Sequence, residues 1–332
     1  MAITAAEVNK LRQETGAGMM DCKNALVEAN GDYEQAIDIL RKKGQKVAAK
    51  RADRASNEGR AIAKVNADST FGAVIVVSCE TDFVGKNADF IAFAEKIIDA
   101  AMSAKVKTRD ELMELPIEGR KVSELLLDMT GKTVAGVLEC IGDNIEAPCV
   151  AFYNHNGNRL AAIAGFNMAG EKVVEAGHTI AMQISAMNPM AVDENGLSQE
   201  VKDHELEIGK EKTVAELIQK AVEVALKKAN INPNLVDSDD HIASNITKGW
   251  LPEEEANKTR EIKATVAEEK AQNIDNKMVE NIAKGRLNKF VKENTLLGQE
   301  FIMDGKLTVA DYMKQIDGNL KCTGFCRVQL GA

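Results

Sequence analysis

The apolar residues of this chain fall into two rhythms. A short β-branched run opened by glycine, Gly72-Ala73-Val74-Ile75-Val76-Val77, predicts a buried strand. Ahead of it, Arg60-Ala61-Ile62-Ala63-Lys64-Val65 alternates as a half-buried strand does, and Asp68-Ser69-Thr70 turns the chain between the two. Beyond it the period lengthens. Phe90, Phe93, Ala94 and Ile97 recur at spacings of three and four, predicting a helix N-capped by Asn87 and reaching about Ile98. The same order returns downstream. Pro148-Cys149-Val150-Ala151-Phe152-Tyr153 and Leu160-Ala161-Ala162-Ile163-Ala164-Gly165 predict two strands around a polar turn, and 179–187 a helix. Between the first strand pair and its helix lies Thr81-Asp82-Phe83-Val84, a tight junction with a carboxylate beside a large ring. On spacing alone, Phe83 reads as a plug in the local core and Asp82 as the cap of a turn.

Helical rhythm dominates elsewhere. Val8 and Leu11, then Met19, Cys22, Leu26 and Ala29, then Tyr33, Ala36, Ile37 and Leu40 trace three short helices. Thr15-Gly16-Ala17-Gly18 and Asn30-Gly31-Asp32 separate them, and the third ends near Gly44. Such a unit looks like a bundle of the ubiquitin-associated (UBA) type. From about 196 to 275, Val214, Leu217, Ile218, Ala221 and Val224, and later Ile262, Val266 and Ile274, form thin apolar seams among glutamate and lysine. These seams predict a projecting antiparallel coiled-coil arm. The pattern therefore predicts an α+β chain. A UBA-like helical domain with a basic linker spans 1–54, and a core subdomain N spans 55–142. A related core subdomain C spans 143–332 and is interrupted by the arm. Both subdomains combine antiparallel strands with helices.

Composition narrows the function. The chain has 332 residues, 45% of them hydrophobic, and a net charge of −9 from 42 basic and 51 acidic side chains. That balance argues against a surface built to grip nucleic acid. Seven basic residues against Asp53 in 41–54 offer an RNA-contacting arm, but a solvated linker fits them better. No apolar h-region opens the chain, and no apolar run reaches the roughly 20 residues that span a bilayer. The six cysteines then read as reduced thiols of a cytoplasmic protein, mostly buried. No catalytic constellation emerges. Gly131-Lys132-Thr133 fails as a P-loop because Leu126 stands where its first glycine belongs. His204-Glu205-Leu206-Glu207-Ile208 lacks the second histidine of a zincin, and Asp237-Ser238-Asp239-Asp240 lacks the glycine of a calcium loop. Cys322 and Cys326 read as core cysteines. No metal and no cofactor is expected.

Two motifs in register carry a resemblance. Leu11-Arg12, Thr15-Gly16-Ala17-Gly18-Met19-Met20-Asp21-Cys22-Lys23 and Glu28-Ala29-Asn30-Gly31-Asp32 resemble the opening of the bacterial translation elongation factor Ts family. Thr81-Asp82-Phe83-Val84 looks like that family's signature downstream. Ile141-Gly142-Asp143, Tyr153-Asn154-His155, Gly285-Arg286-Leu287-Asn288-Lys289-Phe290 and 293–302 are similar to further family segments. The resemblance covers about 1–210 and 271–332, and much of 212–270 exceeds it. Gln183 stands where the family commonly has histidine, so that histidine's role does not transfer. The resemblance implies a non-catalytic guanine-nucleotide exchange factor. It would bind elongation factor Tu in its GDP-bound and nucleotide-free states, displace Mg²⁺ and release GDP, with no nucleotide, membrane or nucleic acid bound by the chain itself. It assigns the displacement to Thr81, Asp82, Phe83 and Val84. It assigns further partner contacts to Met19, Met20, Asp21, Lys23, Ile141, Tyr153 and His155. The competing reading, from another class, is an RNA-binding adaptor that uses 41–54 and the arm.

Overall fold

The computed structural model describes residues 3–15, 17–49, 56–132 and 137–331. Lys50 to Arg54, most of the basic linker's second half, fall outside the described residues. Among the described residues the chain is a mixed α/β protein with small antiparallel sheets. It divides into two compact units, Met1–Val192 with Glu300–Ala332, and Asp193–Gln299.

The first unit opens with α1 (Ala5–Thr15), α2 (Met19–Glu28) and α3 (Tyr33–Ala49). Val8, Leu11, Cys22, Ala25, Leu26, Ala29 and Ala36 form their common core. Helix α3 does not stop at Gly44. One glycine costs a helix interior only about 1 kcal/mol, and the lysine, glutamine and alanine around it are good helix formers.

A hairpin follows, β1 (Glu58–Val65) and β2 (Phe71–Cys79), with Ile62 opposite Ile75. Then come α4 (Asp82–Gly85), α5 (Ala88–Ala104), α6 (Arg109–Glu114), a minimal ladder of β3 (Pro116–Ile117) and β4 (Arg120–Lys121), and α7 (Val122–Lys132). Strand β5 (Val137–Glu146) pairs antiparallel with the free edge of β2, giving the order β1-β2-β5. The second sheet is laid out alike. Strands β6 (Cys149–His155) and β7 (Leu160–Phe166) form a hairpin and α8 (Glu171–Met187) follows.

Every residue of β2 is buried, because both faces of its sheet are covered. On one face Ile62, Ile75, Val77 and Cys79 pack with Phe90, Phe93, Ala94, Ile97 and Ile98 of α5, and with Leu112, Val122 and Leu126. On the other, Ala61, Ala63, Val74 and Val76 meet Val150, Ala161, Ile163 and Leu330. Alternation along each strand sends successive residues to these two cores. The Asn87 side chain caps α5, accepting from Asp89 N–H at 2.8 Å. The helix runs past Ile98 because Ala101 continues its buried face, and it ends at Lys105 in a left-handed conformation (φ 49°).

The second unit contains α9 (Gln199–Lys228), α10 (Asp239–Thr247), α11 (Glu253–Gln272) and α12 (Asn276–Asn294). Helix α9 packs against both α11 and α12, and Arg286 of α12 pairs with Glu216 of α9 at 2.6 Å. The unit therefore runs past 275, since α12 packs on α9 and stays within it. Far along α9, the residues Val222, Leu226, Ile231, Val236, Ile242, Leu251 and Ala256 close a separate small core.

The chain then re-enters the first unit through β8 (Glu300–Phe301), β9 (Asp304–Thr308), α13 (Val309–Ile316) and β10 (Cys322–Gln329). Strand β10 completes the second sheet in the order β10-β7-β6. Gln183 of α8 is fully buried and holds the β8–β9 hairpin. Its amide donates to the Glu300 carbonyl at 3.1 Å and accepts from Ile302 N–H at 2.8 Å. A buried amide satisfied on both sides is a structural tie.

Candidate functional site

Strand β2 delivers the chain, fully buried, to Cys79, and the backbone then breaks into α4. Thr81 is extended (φ −135°, ψ 152°), and its hydroxyl caps the helix by accepting from Val84 N–H at 3.5 Å. Thr81 is thus the cap that the sequence suggested Asp82 to be. The four residues of α4 point in different directions. Val84 packs against the α5 core. Gly85 is buried against β1, while the Phe83 side is left open. Phe83 is 84% exposed, more than any other large apolar side chain among the described residues. The core closes without it, so the plug reading of Phe83 is overturned.

Asp82 pairs with Lys86 one turn on, at 2.7 Å. The hydrogen bond from Lys86 holds the Asp82 carboxyl below its ordinary range, and the same bond raises Lys86. The pair lies on the surface, where an exposed ion pair contributes little and another cation can compete for the carboxylate. Close by, Arg159 in the β6–β7 turn grips Glu58 at the start of β1 through both terminal guanidinium nitrogens, one at 3.2 Å. Glu58 and Arg159 both act on the charge of Lys86, and Arg159 is coupled to Asp82 as well. A turn from the second sheet therefore borders the α4 site, a connection that sequence spacing does not reveal.

The remaining predicted residues lie in two other places. Met19 and Met20 occupy the first turn of α2 and are 53% and 64% exposed. The sequence puts Met19 on the core face with Cys22 and Leu26. Instead, Ala17 from the preceding turn packs against that end of the core and Met19 stays outside. Asp21 pairs with Lys43 of α3, and Lys23 is exposed. Tyr153 and His155 stand at the end of β6, joined by a hydrogen bond of 2.9 Å between the phenol and Nδ1. His178 of α8, absent from the sequence reading, completes this group. Its ring meets Tyr153 edge-on at 5.5 Å, and its Nδ1 lies 2.8 Å from the Phe152 carbonyl, to which it donates. His178 is exposed beside the buried Ala176 and Gly177, and nothing in the local sequence marked it. Ile141 lies on β5 opposite Val76, and its side chain falls outside the described residues.

Among the described residues no group of three or more histidine, cysteine or acidic side chains could hold a metal ion. Cys322 and Cys326 are free thiols, and burial raises both, Cys322 to about 11. Among the described residues no helix is long and apolar enough to cross a membrane. What the surface does offer is an exposed ring with a carboxylate beside it.

The family model described as Elongation factor TS matches residues 80–238 and 216–332. The chain belongs to the elongation factor Ts family. Proteins named Elongation factor Ts from Phocaeicola vulgatus and Parabacteroides distasonis are 50% and 51% identical to it, with the whole of each chain covered. One from Christiangramia forsetii is 41% identical over 99% of each. Like its family, the chain acts as a guanine-nucleotide exchange factor in translation elongation. The likeness also extends beyond the segments recognised by motif. The two family matches overlap at 216–238, inside the second unit, and the relatives run the full length, so 212–270 is shared with them.

Proposed function

We propose that this chain binds elongation factor Tu in its GDP-bound and nucleotide-free forms and opens the nucleotide site by removing Mg²⁺. A GTPase holds GDP through its phosphate loop, a lysine and the metal. To speed release, a partner must favour the nucleotide-free state, and linkage makes the antagonism mutual. The exposed Phe83 ring is the wedge that parts the elements beside the metal. The Asp82 carboxylate leaves Lys86 and competes for the donors that order the metal's water shell. Thr81 and Val84 set the turn. Support comes chiefly from Phe83, a large ring left 84% exposed on a capped and packed turn.

Met19, Met20, Asp21 and Lys23 on the bundle, Ile141, and Tyr153 with His155 give further grips that fix the wedge's angle. In this reading α1–α3 form a UBA-like domain, the two three-stranded sheets belong to related subdomains, and the second unit is a projecting coiled-coil arm. The chain works in the cytoplasm, performs no chemistry and binds no nucleotide itself. The test is release of labelled GDP from purified elongation factor Tu. The chain accelerates release most when Mg²⁺ is plentiful, and chelating Mg²⁺ narrows the advantage. An unchanged release rate at every Mg²⁺ concentration would overturn the proposal.

The arm is expected to be dispensable for this reaction. The small core around Val222, Leu226, Val236 and Leu251 lies wholly within 212–270, as do the side chains packed against it. Replacing 212–270 by a short turn thus removes that core whole, together with Glu216, the partner of Arg286 on α12. The shortened chain should melt where the first unit of the intact chain melts and release GDP within about twofold of wild type, as independent sites do. Lost exchange at an unchanged melting temperature would give the arm a direct role.

A further inference from the structure

The geometry points to Cys79, Gly59 and Gly85 as a mount that fixes the direction in which α4 presents Phe83 and Asp82; the inference rests on the wedge reading above. A four-residue helix closes too few hydrogen bonds to hold its own shape. Here it is held from beneath. The Thr81 carbonyl accepts from Gly85 N–H at 3.2 Å and from the Cys79 thiol, also at 3.2 Å. One oxygen thus ties the first turn of α4 to the end of β2. Burial pushes the Cys79 thiol up to about 11, so it keeps its proton and remains a donor at neutral pH. The β2–β5 pairing shifts register between Ser78 and Cys79, where β2 ends. Such irregularities re-aim a strand's last residues.

The other side of the mount is backbone on backbone. A Cβ on Gly85 would lie 3.2 Å from the nitrogen of Gly59 and 3.3 Å from its Cα. Gly59 itself sits at φ +132°, where a Cβ would fall 2.1 Å from the Val77 carbonyl oxygen. Gly59 has no room for a side chain, and one at Gly85 would crowd the β1 backbone, so α4 rests directly on β1. Cys79 and Gly85 are both buried and face inward, and Val84 is anchored in the α5 core. The mount converts an exposed ring, which would otherwise swing, into one aimed in a single direction. Cys79 and Gly85 are therefore positioning residues for the exchange reaction.

The experiment is a mutant cycle in the full chain. Gly85→Val and Cys79→Ala are made alone and in an Asp82→Ala/Phe83→Ala background. GDP release from elongation factor Tu is measured at saturating chain, beside thermal melts. Either change alone should slow release roughly tenfold, as misplacement of a reacting group by a fraction of an ångström does. In the background that lacks both aimed side chains, the same change should cost less than about twofold, because nothing remains to be aimed. Equal slowing in both backgrounds overturns the inference, since the mount would then act through general stability. Wild-type release by both single variants, with a slow Asp82→Ala/Phe83→Ala protein, overturns it while leaving the wedge intact. Normal release by Asp82→Ala/Phe83→Ala removes the wedge and the mount together. Should Gly85→Val fail to fold, the Cys79→Ala cycle decides alone.

Discussion

Phe83→Ala leaves this protein as stable as wild type and slows GDP release from elongation factor Tu by about tenfold or more, a loss of roughly 1.4 kcal/mol or more of transition-state stabilisation. The two halves of this expectation come from one observation. A ring that is 84% exposed contributes almost nothing to the fold, so its removal belongs with surface changes of about 0.5 kcal/mol or less. The same ring presents a large rigid apolar surface to whatever binds there, and aromatic anchors carry a disproportionate share of interface energy. Asp82→Ala should follow the same pattern, with unchanged melting and slower release. Its dependence on Mg²⁺ should be the sharper, because a carboxylate competing for the metal's water shell matters only while the metal is bound. The Lys86 hydrogen bond holds the Asp82 carboxyl below its ordinary range. The carboxylate is therefore ionised at neutral pH, and its contribution is lost only as pH falls below that range. Normal release by both variants at high Mg²⁺ would show that neither side chain acts in exchange.

The strands were legible because their signals were redundant. Strand β2 is apolar from Phe71 to Val77, since helices cover one face and a second sheet the other. Helix α5 shows both a cap at Asn87 and a continuous apolar stripe. Helix α4 was not legible as a helix. Four residues complete barely one turn and carry no periodicity, so only the Thr81 cap could have betrayed it. Spacing could not tell Phe83 from a core residue, because exposure depends on what other elements leave uncovered. Met19 failed for the same reason in the opposite sense. Its helical phase matched Cys22 and Leu26, but it stands one turn beyond the layer that α1 and α3 cover. His178 and Arg159 join their sites from elsewhere in the chain, across α8 and the β6–β7 turn. Such encounters belong to the tertiary structure and leave no mark in local sequence.

Phe90 provides the counterpart to Phe83, seven residues on and of the same residue type. It is completely buried in the core between the first sheet and α5, among Ile62, Ile75, Val77 and Ile97. Truncating it to alanine removes a ring from a closed site and leaves a cavity that neighbours on a strand and a helix cannot collapse to fill. Phe90→Ala should therefore cost about 3–5 kcal/mol. For a unit of this size each kcal/mol lowers the melting temperature by roughly 2–4 °C, so the drop should be about 6–20 °C. GDP release, measured well below the lowered transition, should nonetheless stay much closer to wild type than that of Phe83→Ala, since α4 and its exposed ring remain. Thermal melts and release rates of the two alanine variants, taken side by side, separate a ring that holds the fold from one that acts on a partner. If Phe90→Ala melts like wild type, or Phe83→Ala melts as low as Phe90→Ala, the division of labour between these two aromatics is wrong.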